Sequence, residues 1–300
     1  VTRDETTLSD LARFAHLEWV SRDVEPWADL IAHLHASGTL DEEQALWVLY
    51  LYNAYDDFGS AWTAFARWPS PRAWATAPDR QDAADLPIMT ERRNLYAGKM
   101  LRRHASYVDL VAGGTQAEWL RSALDGRDRE RNWNRMLTFT RQVWGVGRQA
   151  SFEWTEFVAK VTGWPLDAPD GCLWESSGPR ESLQRLYGNP TPTRLWLERA
   201  AELCRAELHA AGVPLKWVDF ETVICDFNVM RKGRYYVGQH LAALRAEIDA
   251  APADDRPTLK AAWHAVIPAP WAGIGPGVDK SLRGAYKRTG AILDPARGAA

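Results

Sequence analysis

Residues 145–170 combine a backbone suited to holding a phosphate with a carboxylate confined to a turn. Gly145-Val146-Gly147 sets two glycines around one apolar residue and leads into an amphipathic stretch, Phe152–Val161. The first N–H groups of a helix lack intrahelical acceptors and its dipole end is positive. Such a turn can therefore cradle an anion, with Arg148 and Gln149 beside it. Gly163-Trp164-Pro165 then closes the helix and delivers Asp170 between Pro169 and Gly171. A carboxylate there sits in a tight turn rather than on a solvated helix face, and it can stabilise developing positive charge or accept a proton. A plain turn or capping aspartate fits the same place. Asp167 is the second choice in the same turn.

Two later blocks carry more of these residue types. In Cys172-Leu173-Trp174-Glu175-Ser176-Ser177-Gly178-Pro179-Arg180-Glu181-Ser182, Ser176, Ser177 and the backbone at Gly178 can donate to a phosphate, with Arg180 and Arg185 as charge partners. Glu175 is a general-base candidate if Trp174 desolvates it. The structural alternative is a helix cap at Ser177, with Pro179 and Glu181 in the first turn. In the block Glu221–Gly238, helical spacing puts Glu221, Cys225 and Asn228 on one face, with Asp226 adjacent. Cys225 is a nucleophile candidate towards C6 of a pyrimidine if nearby cations lower its pKa, or else a plain core residue. Arg231, Lys232 and Arg234, beside Tyr235 and Tyr236, pair phosphate-binding cations with stacking aromatics; Trp144 and Trp174 are further stacking candidates. An earlier basic run, Arg127, Arg129, Arg131, Arg135, Arg141 and Arg148, reads equally as a phosphate track or a solvated face, since Asp128 and Glu130 interrupt it.

The elements that position these residues are helical. Long amphipathic stretches dominate and period-two alternation is scarce, so the chain reads as all-α. Helices are predicted over 7–21, 26–36, 42–55, 60–67, 90–110, 133–143, 152–161, 193–211, 219–230, 237–250 and 259–266, with Asp41 as a cap. Residues 1–250 read as one helical domain and 251–300 as a Pro/Gly-rich extension. The sixteen tryptophans belong mostly to helix contacts.

Composition limits the function classes. With 46% hydrophobic and 25% charged residues and a net charge of −3, the 300-residue chain is an ordinary globular one, and any grip on a polyanion must be local. No 18-residue apolar run exists, so no membrane span is expected. Val1-Thr2-Arg3-Asp4-Glu5 has no apolar signal core. Three cysteines without a CxxC pair fit a reducing, cytoplasmic setting and argue against zinc or an iron–sulfur cluster. No cofactor is expected, although magnesium is compatible with carboxylates and phosphate together. No GxxxxGK[ST] loop is present, which disfavours a nucleotide kinase.

The Gly-Val-Gly turn, its helix and the trailing Asp170 resemble the helix-hairpin-helix of DNA glycosylases. That resemblance implies a glycosylase-like all-α architecture with extra C-terminal helices, a DNA backbone held at Gly145 and Gly147, and Asp170 beside a flipped nucleotide. Where strand-cleaving glycosylases of this type carry a Schiff-base lysine, this chain has Gln149, so lyase chemistry is not expected. The blocks CLWESSGPRESLQRLYG and ETVICDFNVMRKGRYYVGQHL further resemble the bacteriophage amino acid:DNA transferases, also called alpha-glutamyl/putrescinyl thymine pyrophosphorylases. This resemblance implies double-stranded DNA carrying phosphorylated or pyrophosphorylated 5-hydroxymethyluracil as substrate. An amino acid or other amine displaces the phosphate, in the host cytoplasm if the chain is phage-encoded. Asp170, Glu175, Cys225 and Asp226 are then the catalytic candidates. The phosphate and DNA contacts would fall to Arg148, Gln149, Ser176, Ser177, Arg180, Arg231, Lys232 and Arg234. A monofunctional glycosylase and a non-catalytic DNA-binding module are the alternatives. Amine donor, DNA sequence preference and oligomeric state are not legible.

Overall fold

The computed structural model describes residues 4–89, 97–275 and 282–297. Every regular element among them is helical, as the periodicity predicts. Contacts divide the chain into two compact units. Unit 1 comprises Val1–Pro26, Ala168–Arg245 and Ile267–Ala300; unit 2 comprises Trp27–Asp167 and Ala246–Val266. Each is assembled from segments distant in sequence, and the stretch 251–300 is shared between them.

Unit 2 is organised around α3 (Glu42–Tyr55), which is buried on all sides from Ala45 to Tyr55. Asp41 and Gln44 form a reciprocal capping box at its start, satisfying two backbone donors that the helix geometry leaves open. A helix apolar all round must be wrapped. Here α4 (Phe58–Arg67), α7 (Gln116–Arg121) and α9 (Arg148–Thr162) cover it. Aromatic rings fill the centre: Tyr50 stacks on Tyr107 at 3.8 Å between centroids, and Trp47 and Trp154 pack around the pair. Trp47, Trp133 and Trp154 are among the largest fully buried side chains, whereas Trp174 in unit 1 is 41% exposed. The helix predicted over 90–110 is realised as α6 (Ala97–Val111), and residues 90–96 lie outside the described ones. The C-terminal piece of unit 2 includes α14 (Arg256–Val266), three residues longer at its start than predicted. It is tied to α4 by bonds from Phe58 N to Glu247 and from Trp62 Nε1 to Asp255.

Within α6, His104 is fully buried between two tyrosines. The Tyr55 hydroxyl donates to the Ala83 carbonyl, so it accepts from His104 Nε2–H, while Tyr50 donates to Nδ1. Burial beside the Arg103 guanidinium pushes the imidazole down to about 3, so it stays neutral.

Unit 1 is built on α1 (Glu5–Ser21), α10 (Ser177–Leu186), α11 (Arg194–Ala210) and α12 (Trp217–Arg231), with the first part of α13 (Gln239–Ala250) and the short α15 (Ala285–Thr289). Small residues set the α10–α12 approach. A Cβ at Gly178 would lie 2.8 Å from Cys225 Sγ, and Ser182 Oγ donates to the Ile224 carbonyl. The opposite side of α12 meets α1 through Phe14 and Phe227.

Candidate active site

The Gly145-Val146-Gly147 turn joins α8 (Arg129–Thr140) to α9, which pack on each other in unit 2. Gly145 adopts φ +81°, a conformation that a Cβ disfavours, and Gly147 is the α9 cap. A glycine cap offers no side-chain acceptor to the first-turn donors. Three ties hold the turn. Ser106 Oγ accepts from Trp144 N, buried Asn53 donates to the Ala150 carbonyl, and Ser151 donates to the Leu137 carbonyl while touching Thr140. Trp144 is half-buried with the Arg102 guanidinium over its ring at 4.3 Å. Arg148 lies over Phe152, and Gln149 donates to Glu153. Asp167 forms a bidentate pair with Arg129, also in unit 2. Of the earlier basic run, Arg131 and Arg135 both reach Asp125.

Asp170 lies in unit 1, so the Gly-x-Gly turn and the carboxylate that follows it belong to different units. Its Oδ1 accepts from Cys172 N at 2.6 Å, the bond of an Asx turn, and Cys172 adopts φ +50°. Glu175 and Trp174 are exposed on the 3-10 turn Leu173–Glu175, where Arg180 donates to the Trp174 carbonyl. Arg194 at the start of α11 pairs with Glu198 at 2.8 Å, and the charges of Asp170 and Glu175 act on it more weakly.

The two later sequence blocks meet in unit 1, because α10 packs along α12. Glu221, Cys225 and Asn228 share the face turned to α10, as their spacing predicts: Ser176 Oγ donates to Glu221, Gly178 abuts Cys225, and Asn228 donates to Glu181. The helix begins one residue earlier than expected, with Ser176 in the cap position and Ser177 exposed in the first turn. Ser176 spends its hydroxyl on Glu221 rather than on the helix backbone. Lys232, Arg185 and Asn228 converge on Glu181 and hold its carboxyl down at about 2. Arg231 lies over Phe227 and reaches Thr7, while Arg234 is exposed. The rings of Tyr235 and Tyr236 are buried, 3% and 6% exposed, and present no open face for stacking.

Tyr235 instead centres a cluster of ionisable groups that sequence reading did not assemble. Its hydroxyl lies 2.8 Å from Asp23 Oδ2, 3.2 and 3.3 Å from the two Glu18 oxygens, and 3.4 Å from His240 Nδ1. Asp23 also accepts from the N–H groups of Gly238 and Leu241, the second at 2.8 Å. Glu18 is completely buried; desolvation, with Asp23 and Asp226 nearby, pushes its carboxyl well above the ordinary range, so it keeps its proton. His240 Nδ1 donates to the Asp23 carbonyl at 2.9 Å, which leaves Nε2 as the basic nitrogen of the neutral ring. Asp226, 4.0 Å from that imidazole, completes the group. Asp226 and His240 are partly exposed, whereas Glu18 and Asp23 are sealed.

The local sequence explains this convergence. α1 ends with Arg22 in the left-handed conformation at φ +67°, which turns Asp23 back inside. Gly238, at φ +93° and with Ile274 against it, brings its own N–H to Asp23. Asp226 was the only acidic member visible from spacing. Glu18 and Asp23 lie some two hundred residues earlier, and their one signal was a pair of acids at the end of an apolar helix.

The arrangement pairs a neutral buried acid with a partly exposed carboxylate and imidazole, a set able to exchange protons with a ligand. Among the described residues no group of three or more His, Cys, Asp or Glu side chains is disposed to hold a metal, and no helix is long and apolar enough to cross a membrane. No curated protein and no solved structure matches the chain. The family model "Amino acid:DNA transferase" does match, over residues 20–236, a span that takes in the Gly-Val-Gly turn and Asp23, Asp226 and Tyr235 of the acid cluster, with Glu18 and His240 just outside it. By that match, which covers well over half of its length, the chain belongs to the amino acid:DNA transferase family, enzymes that transfer an amino acid onto DNA.

Proposed function

We propose that the protein joins the amine of an amino acid to the exocyclic methylene of phosphorylated or pyrophosphorylated 5-hydroxymethyluracil in DNA. The N–C bond forms, the C–O bond to the phosphate breaks, and its electron pair leaves with the phosphate or pyrophosphate. The amine proton passes to a base. An amino acid's ammonium is almost wholly protonated near neutrality, and only the free amine attacks. The observation that carries this reading is the Glu18–Asp23–Tyr235–His240–Asp226 cluster within a chain of this family. Asp226 and His240, its partly exposed members, take the ammonium proton, and protonated Glu18 behind them keeps the group from accumulating negative charge.

In the same reading the Gly145–Gly147 turn holds the DNA backbone through the start of α9, and exposed Trp174 offers a stacking face. Base excision finds no support in the family match, and the chain has no amine at Gln149 for lyase chemistry. A second placement of the base is at Asp170 and Glu175, whose charges act on Arg194 beyond its pair with Glu198. The two placements separate experimentally. Asp226→Asn should lower single-turnover transfer by about 10²–10⁴-fold while leaving DNA affinity unchanged. Full activity in Asp226→Asn, with loss in Asp170→Asn, would move the base to the Asp170 turn.

A further inference from the structure

Two segments of unit 1, far apart in sequence, bring their cations together. Arg231, Lys232 and Arg234 end α12, and Arg283, Lys287 and Arg288 belong to α15 and its approach. Neither 227–246 nor 282–293 contains an acid, in a chain whose net charge is −3. α15 packs on α12, and two left-handed glycines, Gly233 at φ +77° and Gly284 at φ +74°, set how closely they meet. A Cβ on Gly233 would lie 3.2 Å from Lys287 Cδ and 3.5 Å from Gly284 Cα. On Gly284 it would lie 3.1 Å from Arg288 Nη1 and 3.6 Å from the Gly233 carbonyl oxygen. Lys287 therefore lies across the turn that ends α12, while Arg288 folds back over Gly284 and donates to the Arg283 carbonyl.

The result is an open ridge. Arg234, Arg283, Lys287 and Arg288 are all exposed. The recess between the two segments, lined by Met230, Tyr236, Leu282 and Ile292 among others, holds about 10 Å³, too little for a small-molecule ligand. Arg231 and Lys232 are engaged inward, the first over Phe227 and the second with Glu181. The neighbouring acids are committed as well. Asp10 accepts from the Tyr286 hydroxyl at 2.6 Å, Asp4 caps α1, and Asp294 accepts from Ala296 N. A compact anion is best held by donors converging on one point. Separate cations on an open surface suit a row of phosphates instead, as a nucleic-acid backbone presents them.

We infer that this ridge is a second contact with the DNA backbone, separate from the Gly145–Gly147 turn, with Arg234 and Lys287 as its principal phosphate partners. The family match ends at residue 236, so the α15 half of the surface lies beyond it. The inference needs only that the chain acts on DNA; it does not depend on the leaving group or on which residue is the base.

The test measures the affinity of the full chain for a plain, unmodified duplex over a range of salt concentrations, with no transfer taking place. Arg234→Gln/Lys287→Gln is compared with wild type and with Arg72→Gln/Lys260→Gln, a charge-matched control in unit 2. All four side chains are exposed, and surface replacements of this kind leave the fold intact. Each phosphate contact adds about 0.9 to the steepness of log K against log salt. The ridge variant should therefore show a slope shallower by about 2 and a Kd raised about tenfold or more at low salt, equally for duplexes of different sequence. The control should match wild type. An unchanged slope and Kd in the ridge variant would overturn the inference. An equal loss in the control would also overturn it, by reducing the effect to overall charge. A wild type that binds through the ridge yet transfers nothing would sink the proposed chemistry and leave the ridge standing. Transfer by wild type with unaltered binding in the ridge variant would do the reverse.

Discussion

Replacing Glu18 with glutamine probes the buried acid cluster most sharply, because glutamine resembles the protonated acid and cannot ionise. Glu18 is fully buried, with Asp23, Asp226 and the Tyr235 hydroxyl around it, and desolvation raises its carboxyl well above the ordinary carboxylate range. The folded protein therefore binds more protons at this site than the unfolded chain from about pH 4.5 up to the folded pKa. In that window stability must fall as pH rises, by up to about 1.4 kcal/mol per pH unit from this one group. Below pH 4.5 both states are protonated and the contribution is complete. Glu18→Gln abolishes the slope. At pH 5 the variant should be within about 1 kcal/mol of wild type, since the amide can take over the hydrogen bonds that the protonated carboxyl makes with Tyr235 and Asp23. It should then gain on wild type with each pH unit until the folded pKa is passed. Urea unfolding of both proteins at pH 5, 6, 7 and 8 reads this directly. Parallel pH profiles, or a glutamine variant destabilised by several kcal/mol throughout, would mean that Glu18 is ionised in the folded state and that the cluster holds its charge differently.

Two further predictions concern the supports of the two units. His104, held down at about 3 between Tyr50 and Tyr55, acts with the opposite sign to Glu18: the unfolded chain takes up its proton near pH 6.5, so this site costs stability as pH falls from about 6.5 to 3. His104→Gln should be less stable at pH 7, by about 1–3 kcal/mol, yet lose less on acidification, as thermal unfolding at pH 7 and pH 4.5 would reveal. Gly238→Ala places a Cβ at φ +93° and 3.0 Å from Ile274 Cδ1, beside the N–H that Asp23 accepts from. A destabilisation of about 1–3 kcal/mol is expected, together with slower transfer, from chemical unfolding and the nucleoside assay respectively.

Helix content was readable because amphipathic periodicity is local, and so was the α3 cap at Asp41, an aspartate standing just before an apolar helical run. The face shared by Glu221, Cys225 and Asn228 was equally legible, being fixed by 3.6-residue geometry alone. Pairing of α10 with α12 was not, although both helices had drawn attention singly; it depends on the small residues Gly178 and Ser182 finding their partners across forty residues. Tyr235 and Tyr236 read as stacking residues from their basic neighbours, but the left-handed turns at Gly233 and Gly238 fold that segment inward. The acid cluster was the least accessible feature. Its members come from α1, the turn after it, α12 and the segment leading into α13, and only tertiary structure brings residues 18 and 23 to residues 226, 235 and 240.

Amine transfer to phosphorylated hydroxymethyluracil is read out by nucleoside mass spectrometry. DNA carrying the phosphorylated or pyrophosphorylated base is incubated with the full chain and a mixture of amino acids, digested to nucleosides and weighed, with released phosphate measured in parallel. The expected product is a nucleoside bearing an amino acid on its exocyclic methylene, formed mole for mole with free phosphate or pyrophosphate and lost in Asp226→Asn. Release of free base with an abasic site, or DNA returned unchanged from both substrates, would contradict it.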